Sequence, residues 1–288
     1  MATTLSASAA TKTRLINRDL SKATNLLNNF TKTSSPNMTR AFKNISPIGI
    51  VSSLRARIKS PWLIDQGQSS LCGPASFFYS LAKDAPQLYV KCVLDLYING
   101  ETSLNKLKIK PSNDCKNASL TNTSGMDKVD WIALASLRDS ANSTFDYQSP
   151  SDTVSGITLP NHLEKWFRAA GYQHVTNSTN LFFNKGIDNL QAAQKAFNAN
   201  KNVCLFITAK SLSGSAPISV PDHWVVLSRN MLATGSGKVF STAKEDDIEE
   251  FPIAVKVFTW GYEAYEINPK KTTTEDFCDF YFGYVSAS

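Results

Sequence analysis

The sequence predicts an α+β fold, with a helical N-terminal part and an antiparallel sheet near the C-terminus. Two observations predict it. Apolar residues recur at helical spacing in several segments before residue 200. Short β-branched and aromatic runs follow, without strict alternation of the two kinds. The 288 residues, 42% hydrophobic, suffice for one large domain, or for a domain plus a tail.

The first segment, residues 1–57, reads as a basic arm rich in Ser, Thr and Asn. Through residue 60, ten Lys/Arg face a single acid, Asp19, for a net +9, while the remainder of the chain is −3. The basic balance therefore belongs to the arm, and no nucleic-acid partner is expected for the body. Leu15, Ile16, Leu20, Ala23, Leu26, Leu27 and Phe30 recur at helical spacing, which fits one amphipathic helix on a flexible or loosely docked arm. The composition equally fits a delivery segment, a pro-segment or a transit peptide. The first residues lack the basic start and apolar core of a secretory signal, so a cytoplasmic location in the producing cell is expected. No run of 18 uncharged apolar residues occurs, so no membrane-spanning segment is expected.

The domain proper is expected over 58–288. Helices are expected over 72–83, 86–98 (Pro86 opening it), 126–141, 160–170 (Pro160 to Gly171) and 188–199. Strands are expected over 203–208, 223–228, 253–260 and 279–285. The run Lys244–Glu250 reads as a solvated acidic loop between strands.

Five cysteines stand at 72, 92, 115, 204 and 278, with no CxxC pair. That spacing suggests neither a zinc site nor a disulfide framework. It fits reduced thiols, one of them special, with no metal or cofactor implied. Cys92 and Cys204 lie in apolar runs. Cys115 and Cys278 lie beside acids, which disfavour a thiolate. Cys72 closes the stretch Asp65-Gln66-Gly67-Gln68-Ser69-Ser70-Leu71-Cys72-Gly73-Pro74-Ala75, where a loop ends and a helix begins. Unpaired N–H groups at a helix start favour negative charge on sulfur. Gly73 carries no side chain to block approach to the sulfur. Gln66 can offer its amide N–H to a developing oxyanion, beside the Cys72 backbone N–H. A thiol nucleophile needs a base, and there are three histidines. His223 opens the strand-like run HWVVLS. His162 lies on a helix face beside core positions, and His174 lies in a polar connection.

In these residues the chain resembles the papain-like cysteine peptidases. That superfamily places a Gln-Gly pair so that the Gln precedes by six residues the Cys that opens a long helix. Gln66, Gly67 and Cys72 occupy those positions. The Cys-Gly-Pro-Ala form is similar to the bacteriocin-processing branch. The resemblance implies a papain-like fold, with the nucleophile on an early helix and the base, His223, at the start of a late strand. It further implies an Asn or Asp that orients the imidazole, followed by a shielding Trp-Gly pair. Trp260-Gly261 matches the pair, but the orienting position holds Phe258, so either Thr259 beside it, a nearby Asp or Asn, or a backbone carbonyl takes that role, or the register differs.

The activity implied is hydrolysis of peptide bonds in a protein substrate. The same machinery serves peptidoglycan amidases and side-chain deamidases, and an inactive papain-fold binding module is the reading from another class. The layout also resembles papain-fold effector toxins that bacteria deliver into other cells. A cognate immunity or inhibitor protein would then be a partner.

Overall fold

The computed structural model describes residues 18–118, 125–144, 157–209, 220–268 and 271–288. It is a mixed α+β molecule in which a helical layer packs on an antiparallel sheet.

The first helix, α1 (Leu20–Thr33), starts where the Asp19 side chain accepts from the Lys22 N–H at 2.7 Å. Ala23, Leu27 and Phe30 recur one turn apart and are fully or nearly fully buried. They pack against α2 (Ile50–Lys59) and α4 (Pro86–Asn99), with Phe30 edge-on to Tyr97. The expected separation of an arm at residue 57 thus needs correction. Residue 57 lies inside α2, and the described part of the arm joins the main core, because its apolar stripe outweighs its surface charge. Leu15 and Ile16, counted in the same stripe, lie outside the described residues.

Between α2 and α4 runs α3 (Cys72–Asp84), buried on every side from Cys72 to Ala82. A helix apolar all round must lie inside the molecule, and α3 touches α4, α8 and the sheet. A hairpin of β1 (Thr102–Leu104) and β2 (Leu107–Ile109) follows, then the short α5 (Asn113–Asn117). Next come α6 (Lys128–Asp130), a π-helical turn over Trp131–Ala135, and α7 (Ser136–Thr144). The helix α8 (Pro160–Ala170) ends at Gly171, whose φ of 109° only glycine adopts without strain.

The six-stranded sheet has the order β3-β10-β4-β5-β8-β9, and every neighbouring pair is antiparallel. Its strands are β3 (Thr176–Asn177), β4 (Asn202–Ile207), β5 (His223–Leu227), β8 (Lys256–Thr259), β9 (Tyr262–Glu266) and β10 (Tyr281–Ala287). The last strand inserts between β3 and β4. Side chains alternate between two cores: Cys204, Phe206, Trp224, Val226 and Phe258 join the helical one, while Val203, Leu205, Ile207, Val225, Leu227 and Val257 join a second. The second core is covered by α9 (Ile187–Asn198), α10 (Thr274–Cys278) and the segment after β5. That segment carries the small β6–β7 ladder (Leu232–Ala233, Ile253–Ala254) and the acidic run, whose Ile248 is buried while its carboxylates stay outside. Among the described residues no helix is long and apolar enough to cross a membrane.

Candidate active site

Three chain segments meet at one end of the sheet: the start of α3, the start of β5 and the β8–β9 turn. They enclose a cavity of about 530 Å³ lined by the Asp65–Ser70 loop, Cys72, Asp222, His223 and Trp260. The sequence-derived candidates Gln66, Cys72, His223 and Trp260 are thus brought together. Thr259 reaches the site through His223. His162 is buried in α8 and His174 is exposed, and neither lines the cavity.

Leu71, the N-cap of α3, gives no side-chain cap, and the N–H groups of Cys72 and Gly73 in the first turn point to the Cys72 sulfur. Gly73 serves a purpose other than the expected clearance around the sulfur. A Cβ there would lie 2.3 Å from the Thr158 Oγ1, so glycine lets the first turn of α3 seat against Thr158. The Thr158 carbonyl in turn accepts from the Trp224 indole at 2.7 Å, tying the start of β5 to the same point.

Cys72 is 2% and His223 4% exposed. Burial pushes the Cys72 thiol up to about 11, although N–H groups of Trp224, Gly73 and Cys72 pull it down; Asp222 pushes it further up. The expected net lowering by the helix start is therefore overridden by desolvation. Burial likewise lowers His223 to about 4. Burial thus favours the neutral form of each group, and both line the same cavity. All five cysteines are free, and burial pushes the other four higher than Cys72.

His223 Nε2 lies 2.9 Å from Thr259 Oγ1. With Nε2 engaged there, Nδ1 is the ring nitrogen left for another partner. Thr259 and Tyr262 close the β8–β9 hairpin around Trp260 and Gly261, whose φ values are 44° and 75°. Both residues of a two-residue turn of this kind need positive φ, which is strained for tryptophan. The strained backbone lays the indole on the imidazole, with ring centroids 4.7 Å apart and planes 23° from parallel. Phe258 faces away and stacks on Tyr79 at 3.9 Å, so it belongs to the core.

No family model, curated protein or solved structure matches this chain.

Gln66 is buried, and its Nε2 donates to the Ser69 carbonyl at 3.0 Å, leaving one amide hydrogen for a ligand. Its carbonyl accepts from Ser69 N and Oγ at 3.2 and 2.6 Å, and Gly67 supplies a φ of 56° for the turn. Asp65 Oδ1 accepts from the Gly67 N–H at 2.8 Å. Beneath the loop, Arg57 forks onto the fully buried Asp130 with bonds of 2.8 and 2.6 Å, and Asp130 also accepts from the Asp65 N–H at 3.0 Å. Burial pushes Asp130 up, while Arg57 and the Asp65 N–H pull it down. Sequence reasoning missed Arg57, Asp130 and Asp222. Only Asp222, adjacent to His223, had a local signal. The Arg57–Asp130–Asp65 chain ties α2 and the loop after it to α6, far away in sequence.

Proposed function

We propose that this chain is a papain-like cysteine hydrolase that cleaves amide bonds of a polypeptide. The observation that carries this reading is the convergence of Cys72, His223 and Gln66 on one cavity, with Thr259 holding the far nitrogen of the imidazole. An all-round buried helix bearing the thiol, packed on an antiparallel sheet bearing the imidazole, supports the papain-like assignment of the fold.

In this mechanism His223 Nδ1 takes the Cys72 proton as sulfur attacks the carbonyl carbon. The proton moves with the attack, because neither group is charged at rest. Thr259 accepts from Nε2–H and fixes the tautomer that leaves Nδ1 basic. The Cys72 N–H and the free Gln66 amide hydrogen hold the oxyanion. His223 returns its proton to the departing amine. Water, deprotonated by His223, then attacks the thioester, and the acid leaves as the thiol re-forms. No cofactor enters this sequence.

The test is mass spectrometry of a cell lysate treated with the wild-type protein or with Cys72→Ala. New peptide N-termini seen only with the wild type are expected. Conversion of Gln or Asn side chains to acids would instead assign a deamidase. No Cys72-dependent product in any lysate fraction, peptidoglycan included, would leave a binding module.

A further inference from the structure

We propose that the outward face of α1 and α2 is a docking surface for an anionic lipid bilayer. From Arg18, just before α1, the residues Arg18, Lys22, Asn25, Asn29 and Lys32 recur at spacings of three and four, and all are exposed. They lie opposite the buried stripe of Ala23, Leu27 and Phe30. On α2, Arg55 and Lys59 are exposed one turn apart, while Leu54 and Ile58 are buried. The Arg55 guanidinium donates to the Asn28 Oδ1 at 2.6 Å, and Arg18 donates to the Ile58 carbonyl at 3.5 Å. The second helix thus runs back beside the first, and their cationic stripes lie next to each other.

The charge on this face is uncompensated. Among the described residues, no carboxylate lies within ion-pair distance of Arg18, Lys22, Lys32, Arg55 or Lys59. Asp19, the one acid of residues 18–60, caps α1, and Arg57 turns inward onto Asp130. The other side of the sheet has the opposite sign. There Glu245, Asp246, Glu250 and Glu275 are exposed on the segments that cover the second core. A negative surface therefore attracts the α1–α2 side and repels the other, which fixes the orientation of the molecule. The net charge of +6 favours the approach.

The shape selects the partner. The apolar stripes of both helices already belong to the core, so binding rests on charge and not on insertion of a helix. Two helices side by side present a broad face about 21 Å long, from the 14 residues of α1. A flat layer of headgroups meets both stripes along that length, whereas a nucleic-acid duplex curves away from the second. Ile48, 77% exposed just before α2, adds an apolar side chain that a bilayer interface takes up and a phosphodiester backbone does not. Each Lys or Arg near an anionic bilayer strengthens binding about fivefold. None of these residues lines the cavity that holds Cys72, so docking is independent of the proposed reaction.

Co-sedimentation of the full chain with vesicles tests this. At about 0.15 M salt the protein should pellet with mixed phosphatidylserine–phosphatidylcholine vesicles and stay in solution with pure phosphatidylcholine. Raising the salt to about 1 M shortens the screening length from about 8 Å to about 3 Å and should release it. Lys22→Gln, Lys32→Gln and Lys59→Gln should each weaken binding about fivefold, and together about a hundredfold. All three side chains are exposed, so the melting temperature should not change. Lys195→Gln, Lys238→Gln and Lys244→Gln together remove the same charge from the other side of the sheet and should bind as the wild type does. No binding to the anionic vesicles, equal binding to neutral ones, or an equal loss in both triple variants overturns the docking surface. Binding of duplex DNA or polyglutamate through Lys22, Lys32 and Lys59, with no binding of vesicles, overturns it too and assigns the face to that partner.

Discussion

The imidazole of His223 is held through Nε2 by the hydroxyl of Thr259, 2.9 Å away, one residue beyond the position where the resemblance led one to expect an amide or a carboxylate. A hydroxyl can accept from Nε2–H, but it carries no charge to stabilise an imidazolium. That agrees with a histidine whose burial keeps it neutral down to about pH 4. Thr259→Val keeps the shape and removes the acceptor. A buried N–H left without a partner costs about 1–3 kcal/mol, so turnover should fall about tenfold to a hundredfold. Thr259→Ser should restore most of it. An undiminished Thr259→Val enzyme would show that something else orients the ring.

The thiol should betray itself by rate and by pH. Cys72 lines the cavity that also holds His223, so a short iodoacetamide pulse should label it first. Its pKa is raised, so the thiolate grows in as pH rises, and labelling should accelerate toward about pH 11. His223 is lowered, so it loses its role as base only as pH falls through about 4. Asp222→Asn removes a charge that disfavours the thiolate and should move the alkylation profile to lower pH. A rate that stays level between the two values would mean that the pair rests as thiolate and imidazolium.

Leu27→Ala should destabilise the protein by about 2–5 kcal/mol, as for other fully buried leucines, read by denaturant unfolding. Deleting residues 1–33 should cost more, since Ala23 and Phe30 leave the core with it. This reverses the expectation of a flexible or loosely docked arm. A truncated protein that melts with the full chain would show that α1 is not part of the cooperative unit.

The contrast between α1 and the Asp65–Ser70 loop shows what was legible in the sequence. Gln66 and Cys72 lie six residues apart, and His223 opens a strand, so local pattern sufficed to find them. The helices α3, α4, α8 and α9 follow from apolar spacing and from Pro and Gly at their ends, whereas the short α5 and the π-helical turn that interrupts 126–141 have no such signal. In α1 the same spacing was present, but nothing local says which surface a stripe will meet, and the net charge pointed the other way. Thr259 was found only through Trp260-Gly261 beside it. The strands β3 and β9 are exposed or half-buried and carry no continuous apolar run, so they stayed hidden. The Arg57–Asp130–Asp65 chain is a tertiary contact across 73 positions of sequence, and no spacing encodes it.

That chain makes its own prediction. Asp130→Ala leaves Arg57 charged and buried, and should cost about 3–5 kcal/mol of stability. The double change Arg57→Met with Asp130→Leu should recover most of it, because an apolar pair needs no compensation. Activity should not recover, since the Asp65 N–H has lost its acceptor and the loop carrying Gln66 its anchor. Full activity in the stable double variant would limit the ion pair to holding the fold.

Gln66 itself is the sharpest test of the oxyanion assignment, because its amide has two tasks. One hydrogen braces the loop by donating to the Ser69 carbonyl at 3.0 Å, and the other remains for the substrate. If the second task matters, its contact strengthens only as the carbonyl oxygen becomes charged. Gln66→Ala should then lower kcat by about 10²- to 10³-fold and leave KM little changed. Iodoacetamide should still label Cys72 at nearly the wild-type rate, because that displacement forms no oxyanion. The bracing task is isolated by Ser69→Ala, which removes the 2.6 Å bond from Oγ to the Gln66 carbonyl and leaves the Gln66 amide intact. A loss of a few-fold is expected there. If Ser69→Ala were as damaging as Gln66→Ala, the glutamine would act by shaping the loop, and the oxyanion would have to be held by the Cys72 N–H and some other donor.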